Sequence, residues 1–95
     1  MTYSLRFKEE AKKEWDRLDP VIREHFAKKL LQRREHPRVN SAQLSGMPDC
    51  YKIKLRSAGY RLVYEVRDHE VVIVVIAVGK RERSAVYKIA AKRLR

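Results

Sequence analysis

The sequence predicts an α+β domain in which an N-terminal strand, a helical hairpin, a three-stranded antiparallel meander and a C-terminal helix succeed one another. Three observations lead there. Apolar residues recur at helical spacing through the first third of the chain, alternate or run unbroken between Cys50 and Val78, and return to helical spacing after Gly79. A chain of 95 residues has too few left over to close a second core, so residues 1–95 are read as a single domain. With 44% apolar and 37% charged residues it belongs among globular rather than disordered chains.

Tyr3, Leu5 and Phe7 alternate with polar residues, the period of a short half-buried strand. Phe7, Ala11, Trp15 and Leu18 then recur at helical spacing, with Trp15 as the core anchor of a first helix. The mixed charges of "KEEAKKEWDR" read as its solvated face. Asp19 can cap a second helix and Pro20 fits its first position; Ile22, Phe26, Leu30 and Leu31 form its stripe, which ends before Pro37. Residues 38–49 carry turn formers and read as a loop. Tyr51, Ile53 and Leu55 alternate with Cys50, Lys52 and Lys54; "SAG" at 57–59 turns the chain, residues 60–66 return, and "RDHE" at 67–70 turns it again. Residues 71–78 are apolar on both faces and read as the central strand. After Gly79, "KRERSAVYKIAAKRLR" reads as a helix with Ala85, Val86, Ile89, Ala90 and Leu94 on one side.

The charge is lopsided. Twenty-three Lys and Arg stand against 12 Asp and Glu, a formal net charge of +11. Self-repulsion of that size destabilises the compact state, so a polyanionic partner is expected. Residues 49–95 hold 12 basic and 5 acidic residues, residues 1–48 hold 11 and 7, so the bias lies toward the C-terminal half. Cys50 is alone, which leaves no internal disulfide, suits a reducing compartment and reads as a small buried hydrophobe. "MTYSLRFKEE" lacks the apolar segment of a signal peptide and "VVIVVIAV" is too short to span a bilayer, so a soluble, cytoplasmic protein with no membrane partner is expected. His25, His36 and His69 have no zinc-like spacing, and there is no Walker loop, paired carboxylate or Ser/His/Asp set, so neither metal nor cofactor is expected.

The candidate site lies among the cations. Lys52 and Lys54 share a strand face with their ammonium groups about 7 Å apart, a spacing that suits phosphate. Arg61 lies across the turn, and the hairpin register that sets its face is open at this level. The alternative is that all three are solubilising charges. Lys80, Arg81 and Arg83 crowd the start of the last predicted helix, where the helix dipole disfavours cations and an anionic ligand would account for them. Tyr87 comes about one turn later at the edge of the stripe, aimed at the same patch or packed as a core aromatic.

At this point "GMPDCYKIKLRSAGYRLVYEV", "VGKRERSAVY" and the order of elements resemble the RelE-type toxins of the RelE/ParE superfamily, over essentially the whole chain. The resemblance implies a RelE-like fold, a twisted sheet flanked by helices. It implies the toxin of a type II toxin–antitoxin pair, a metal-independent endoribonuclease that enters the 30S A site beside 16S rRNA, cuts mRNA within the codon and is neutralised by a RelB-like antitoxin. The family's functional residues map onto Lys52, Lys54, Arg61, Arg81 and Tyr87 as the catalytic set, and the nearby cations Lys80, Arg83 and Arg56 are expected to bind RNA around it. The sequence departs at Ser45, where close relatives can carry Arg just before "GMPD".

The implied reaction is in-line attack of a ribose 2′-hydroxyl on the adjacent phosphate. Negative charge grows on the phosphate oxygens, so Arg61 and Lys52 are expected to stabilise the transition state. Neighbouring cations favour the deprotonated forms of Lys54 and Tyr87, either of which then serves as base, while Arg81 answers the charge on the leaving oxygen. Without a histidine such a site should be poor on free RNA and depend on the ribosome to orient the substrate. The competing reading is a basic module that grips RNA or the ribosome without cutting, marked by a steep salt dependence and intact strands.

Overall fold

The computed structural model describes residues 2–82 and 85–94. Its centre is the apolar run near the end of the chain. Strand β4 (Val72–Lys80) is buried from Val72 to Val78, as a strand covered on both faces must be. It pairs in parallel with β1 (Ser4–Phe7) and antiparallel with β3 (Tyr60–Arg67), and β3 pairs antiparallel with β2 (Cys50–Leu55). The sheet order is therefore β1-β4-β3-β2. The meander agrees with the sequence expectation; the parallel β1–β4 pair is a further finding, because alternation over five residues marks a strand but names no partner.

Helices α1 (Glu9–Asp16) and α2 (Pro20–Glu35) cover one face, burying Ala11, Phe26 and Leu30 against Tyr51, Ile53, Leu62 and Tyr64. Asp19 caps α2, its Oδ1 accepting from the Val21 N–H at 2.9 Å, and Pro20 occupies the first helical position. Trp15 is half-buried between Phe7 and Phe26, with ring centroids 5.2 and 6.5 Å away. Leu31, placed on the stripe by spacing, is 59% exposed, because Leu30 beside it already fills the core-facing position. The chain leaves α2 before Pro37, whose carbonyl accepts from the buried Tyr64 hydroxyl at 2.7 Å.

Helix α3 (Ala85–Arg93) covers the other face, with Val86 and Ala90 buried against Cys50, Val63, Val74 and Ile76. This helix starts later than the sequence suggested. Strand pairing continues through Lys80, which lies opposite Tyr60, and Arg81 comes next outside any helix, so neither residue opens α3. Arg83, also placed there, lies outside the described residues. Ile89 is 39% exposed rather than part of the buried stripe, because Val86 and Ala90 take the positions facing the sheet.

Two irregularities distinguish β4 from a plain central strand. The β3–β4 register shifts between Val63 and Tyr64, which face Ala77 and Val75, so Ile76 is an extra residue in β4 and both Ile76 and Ala77 turn toward α3. Past the end of β1, two β4 backbone groups are satisfied by side chains: the Val78 N–H donates to Glu14 Oε1 at 3.2 Å, and Arg93 Nη1 donates to the Ile76 carbonyl at 2.8 Å. Arg93 also grips Glu14 with both terminal nitrogens, at 2.8 and 3.0 Å, so α3 and α1 are clasped together beside β4.

Candidate functional site

The hairpin register settles the face of Arg61. Lys54 lies directly opposite Arg61 and Lys52 opposite Val63, which packs under α3, so Lys52, Lys54 and Arg61 all stand on the α3 face. Like charges directly opposite each other destabilise a strand pair, and among the described residues neither Lys54 nor Arg61 has an ion pair to relieve this. The crowding holds the Lys54 ammonium below its usual pKa, chiefly through Lys52, then through partial desolvation, Arg61 and Arg56.

The β4 bulge matters to Arg61. Without the extra residue Val78 would face Arg61; with it, Gly79 does, and the guanidinium lies 5.9 Å from the centre of the Tyr87 ring. Tyr87, in the first turn of α3, packs on the α3-side core, and its hydroxyl is buried with no hydrogen bond among the described residues. The β2–β3 turn brings in Arg81. Gly59 adopts φ +71°, a left-handed conformation suited to glycine, and its carbonyl accepts from the Arg81 N–H at 2.6 Å.

Together these elements wall a cleft of about 210 Å³ lined by Lys54, Arg56, Gly59, Tyr60, Arg61 and Arg81. It contains four cations and no carboxylate. Away from it, Arg38 pairs with Asp49 and Asp68, Arg67 with Glu65 and Arg93 with Glu14, whereas no cleft cation has an ion pair among the described residues. A site so built attracts an anion with several oxygens, and a phosphodiester meets that requirement.

The structure thus brings together Lys52, Lys54, Arg61, Arg81, Tyr87 and Arg56. Lys80 does not join them. Its register partner Tyr60 packs on the α1–α2 side, so alternation sends Lys80 to the opposite face, a correction that stems from β4 running one residue past Gly79. One neighbour was missed. Arg33, in the last turn of α2, donates from Nη1 to the Lys52 carbonyl at 3.1 Å and to the Tyr64 hydroxyl at 2.8 Å. In the sequence it is one more helix-end cation, and only the tertiary fold reveals its position.

Other chemistry is poorly served. Cys50 is fully buried and its thiol is pushed up to about 12, mainly by burial, so it is no nucleophile at neutral pH. His25, His36 and His69 are exposed and scattered, and among the described residues no group of three His, Cys, Asp or Glu could hold a metal ion. Among those residues, no helix is long and apolar enough to cross a membrane.

Known proteins share the sequence and fold of this chain. The family model for the ParE toxin of the parDE type II toxin–antitoxin system matches residues 5–85. The mRNA interferase toxin RelE of Escherichia coli K12 is 58% identical over 94 residues, 99% of either chain. The free state of a doubly substituted E. coli RelE toxin superimposes with a TM-score of 0.92 at 56% identity over all of both chains. The toxin of the intact E. coli RelBE toxin–antitoxin complex gives 0.82 at 58% identity, covering 85% of this chain and 99% of its own.

Proposed function

This chain belongs to the ParE-toxin family of type II toxin–antitoxin systems, as a RelE-type toxin, and from that premise we propose how its cationic cleft cuts RNA. It is an mRNA interferase that works on messenger in the ribosomal A site, in the cytoplasm, and a RelB-like antitoxin is its partner. The observation that carries the reading is the cleft of Lys54, Arg56, Arg61 and Arg81, four cations with no ion pair among the described residues, on a face otherwise given to core packing.

The scissile phosphate sits between β2 and the segment after β4. Lys54 takes the proton of the 2′-hydroxyl; its lowered pKa gives it more free amine near neutral pH than an isolated lysine has. The O2′–P bond forms and the P–O5′ bond breaks, leaving a 2′,3′-cyclic phosphate on one fragment and a 5′-hydroxyl on the other. Arg61 and Lys52 face the phosphate oxygens, whose charge grows in the transition state. Arg81, its N–H pinned by the Gly59 carbonyl, offsets the charge on the leaving 5′ oxygen, which takes up a proton from water to end as a hydroxyl while Lys54 returns its proton to water. Tyr87 supports Arg61 from beneath, and with its hydroxyl covered it is the weaker candidate for base. Arg56 holds the strand at the mouth of the cleft.

Mapping RNA ends on messenger in programmed ribosomes, and on the same RNA free, tests this with the wild-type chain, Arg81→Ala and Arg61→Ala. Cuts confined to the A-site codon, with cyclic-phosphate ends and lost in both variants, are expected. Binding without cuts would leave a basic ribosome-binding module and refute the assignment.

A further inference from the structure

On the far side of Lys54 and Arg56 lies a second cleft, also of about 210 Å³, lined by Arg33, Ser41, Ala42, Lys52, Lys54 and Arg56. It shares Lys54 and Arg56 with the first, so the two form one trough divided by a ridge of two cations. Its third wall comes from α2, on the opposite face of the sheet. Arg33 rounds β2, the outer strand, and anchors there through Nη1 on the Lys52 carbonyl and the Tyr64 hydroxyl. Its Nε and Nη2 carry no hydrogen bond among the described residues, and the side chain is only half-buried. A guanidinium held by one nitrogen, facing Lys52 and Lys54 with no carboxylate in the lining, repels its neighbours unless an anion lies between them.

We infer that this second cleft is a phosphate subsite for the substrate strand, in which Arg33 holds a phosphodiester next to the one that is cut. The inference rests on the reading of the Lys54–Arg61–Arg81 cleft as the cleavage site. Arg33 acts at a distance from the reacting atoms. It binds and registers the strand, so its loss weakens capture and leaves the chemical step intact.

The test uses single-turnover cleavage of messenger in programmed ribosomes, with each phosphate flanking the cut replaced in turn by a neutral methylphosphonate. Arg33→Gln removes the charge and keeps an amide that can donate to the Lys52 carbonyl. With native messenger it should cut about tenfold more slowly at limiting toxin, the loss of roughly one charge-assisted bond, and recover at saturating toxin. One flanking methylphosphonate should slow the wild type by a similar factor and leave Arg33→Gln unaffected. Ser41→Asp, which sets a carboxylate on the facing wall without touching the Arg33 anchors, should weaken capture and Ser41→Lys should strengthen it, so the inference stays testable if Arg33→Gln fails to fold. Equal sensitivity of wild type and variant to every methylphosphonate would overturn it, even if Arg33→Gln were slow, because Arg33 would then serve some other phosphate. A wild-type chain that does not cut at all overturns the underlying reading instead, a result that the native-messenger control separates from the first.

Discussion

Removal of Glu14 offers the sharpest test of how the C-terminal helix is held. Its carboxylate accepts from Arg93 Nη1 at 2.8 Å, Arg93 Nη2 at 3.0 Å and the Val78 N–H at 3.2 Å. The Arg93 and Glu14 side chains are 16% and 25% exposed, dry enough that water replaces little of the interaction. Breaking one side of a fully buried pair costs about 3–5 kcal/mol, and partial exposure brings the expected loss for Glu14→Ala to about 2–3 kcal/mol. For a domain this small that lowers Tm by about 10 to 20 °C. Glu14→Gln keeps an acceptor for the Val78 N–H and should lose less. Urea unfolding of Glu14→Ala, Arg93→Met and the double variant gives the pair energy directly, and a coupling of about 1–2 kcal/mol is expected. A Glu14→Ala loss under about 0.5 kcal/mol with no coupling would refute the clasp as a stabilising element.

Four other outcomes are expected from the same geometry. Lys54→Glu turns a repulsive cross-strand pair into an attractive one, so thermal melts should show a rise in Tm while ribosomal cleavage is abolished. Because Lys52 is the main cause of the lowered Lys54 pKa, Lys52→Met should move the rising limb of the pH–rate profile toward higher pH; an unmoved limb excludes Lys54 as the base. Val71 is a β-branched residue at φ +52°, so Val71→Asn should stabilise the chain by about 1 kcal/mol, read as a higher urea midpoint. Cys50 should resist thiol reagents at neutral pH in the native state and react only in step with unfolding; labelling without unfolding would contradict its burial.

Much of this architecture was legible in the residues. Alternation put Lys52 and Lys54 on one face, and the doubly apolar run marked β4 as central, because each depends on local period alone. The face of Arg61 was not legible. It depends on a four-residue turn closed by Gly59 and on a bulge at Ile76, and within an unbroken run of valine and isoleucine no periodicity betrays an extra residue. Lys80 was misplaced for the same kind of reason: whether β4 stops at Gly79 or one residue later is decided by pairing with Tyr60. Arg33 and the Glu14–Arg93 clasp were out of reach, since each joins elements far apart in sequence across an edge that exists only in the folded sheet.

The central position of β4 also fixes a timetable. It is the partner of β1 and β3 alike, and it is the last of the four strands to leave the ribosome. At about 5–20 residues per second, residues 72–95 take about 1 to 5 s to add once the rest has been made. Until β4 has been made, β1 has no strand to pair with, β3 lacks its second neighbour, and Arg81 and Tyr87, which follow β4, have not been polymerised. Arg81, which completes the lining of the cationic cleft, follows β4 in the chain, so the cleft is assembled only after the sheet's central strand.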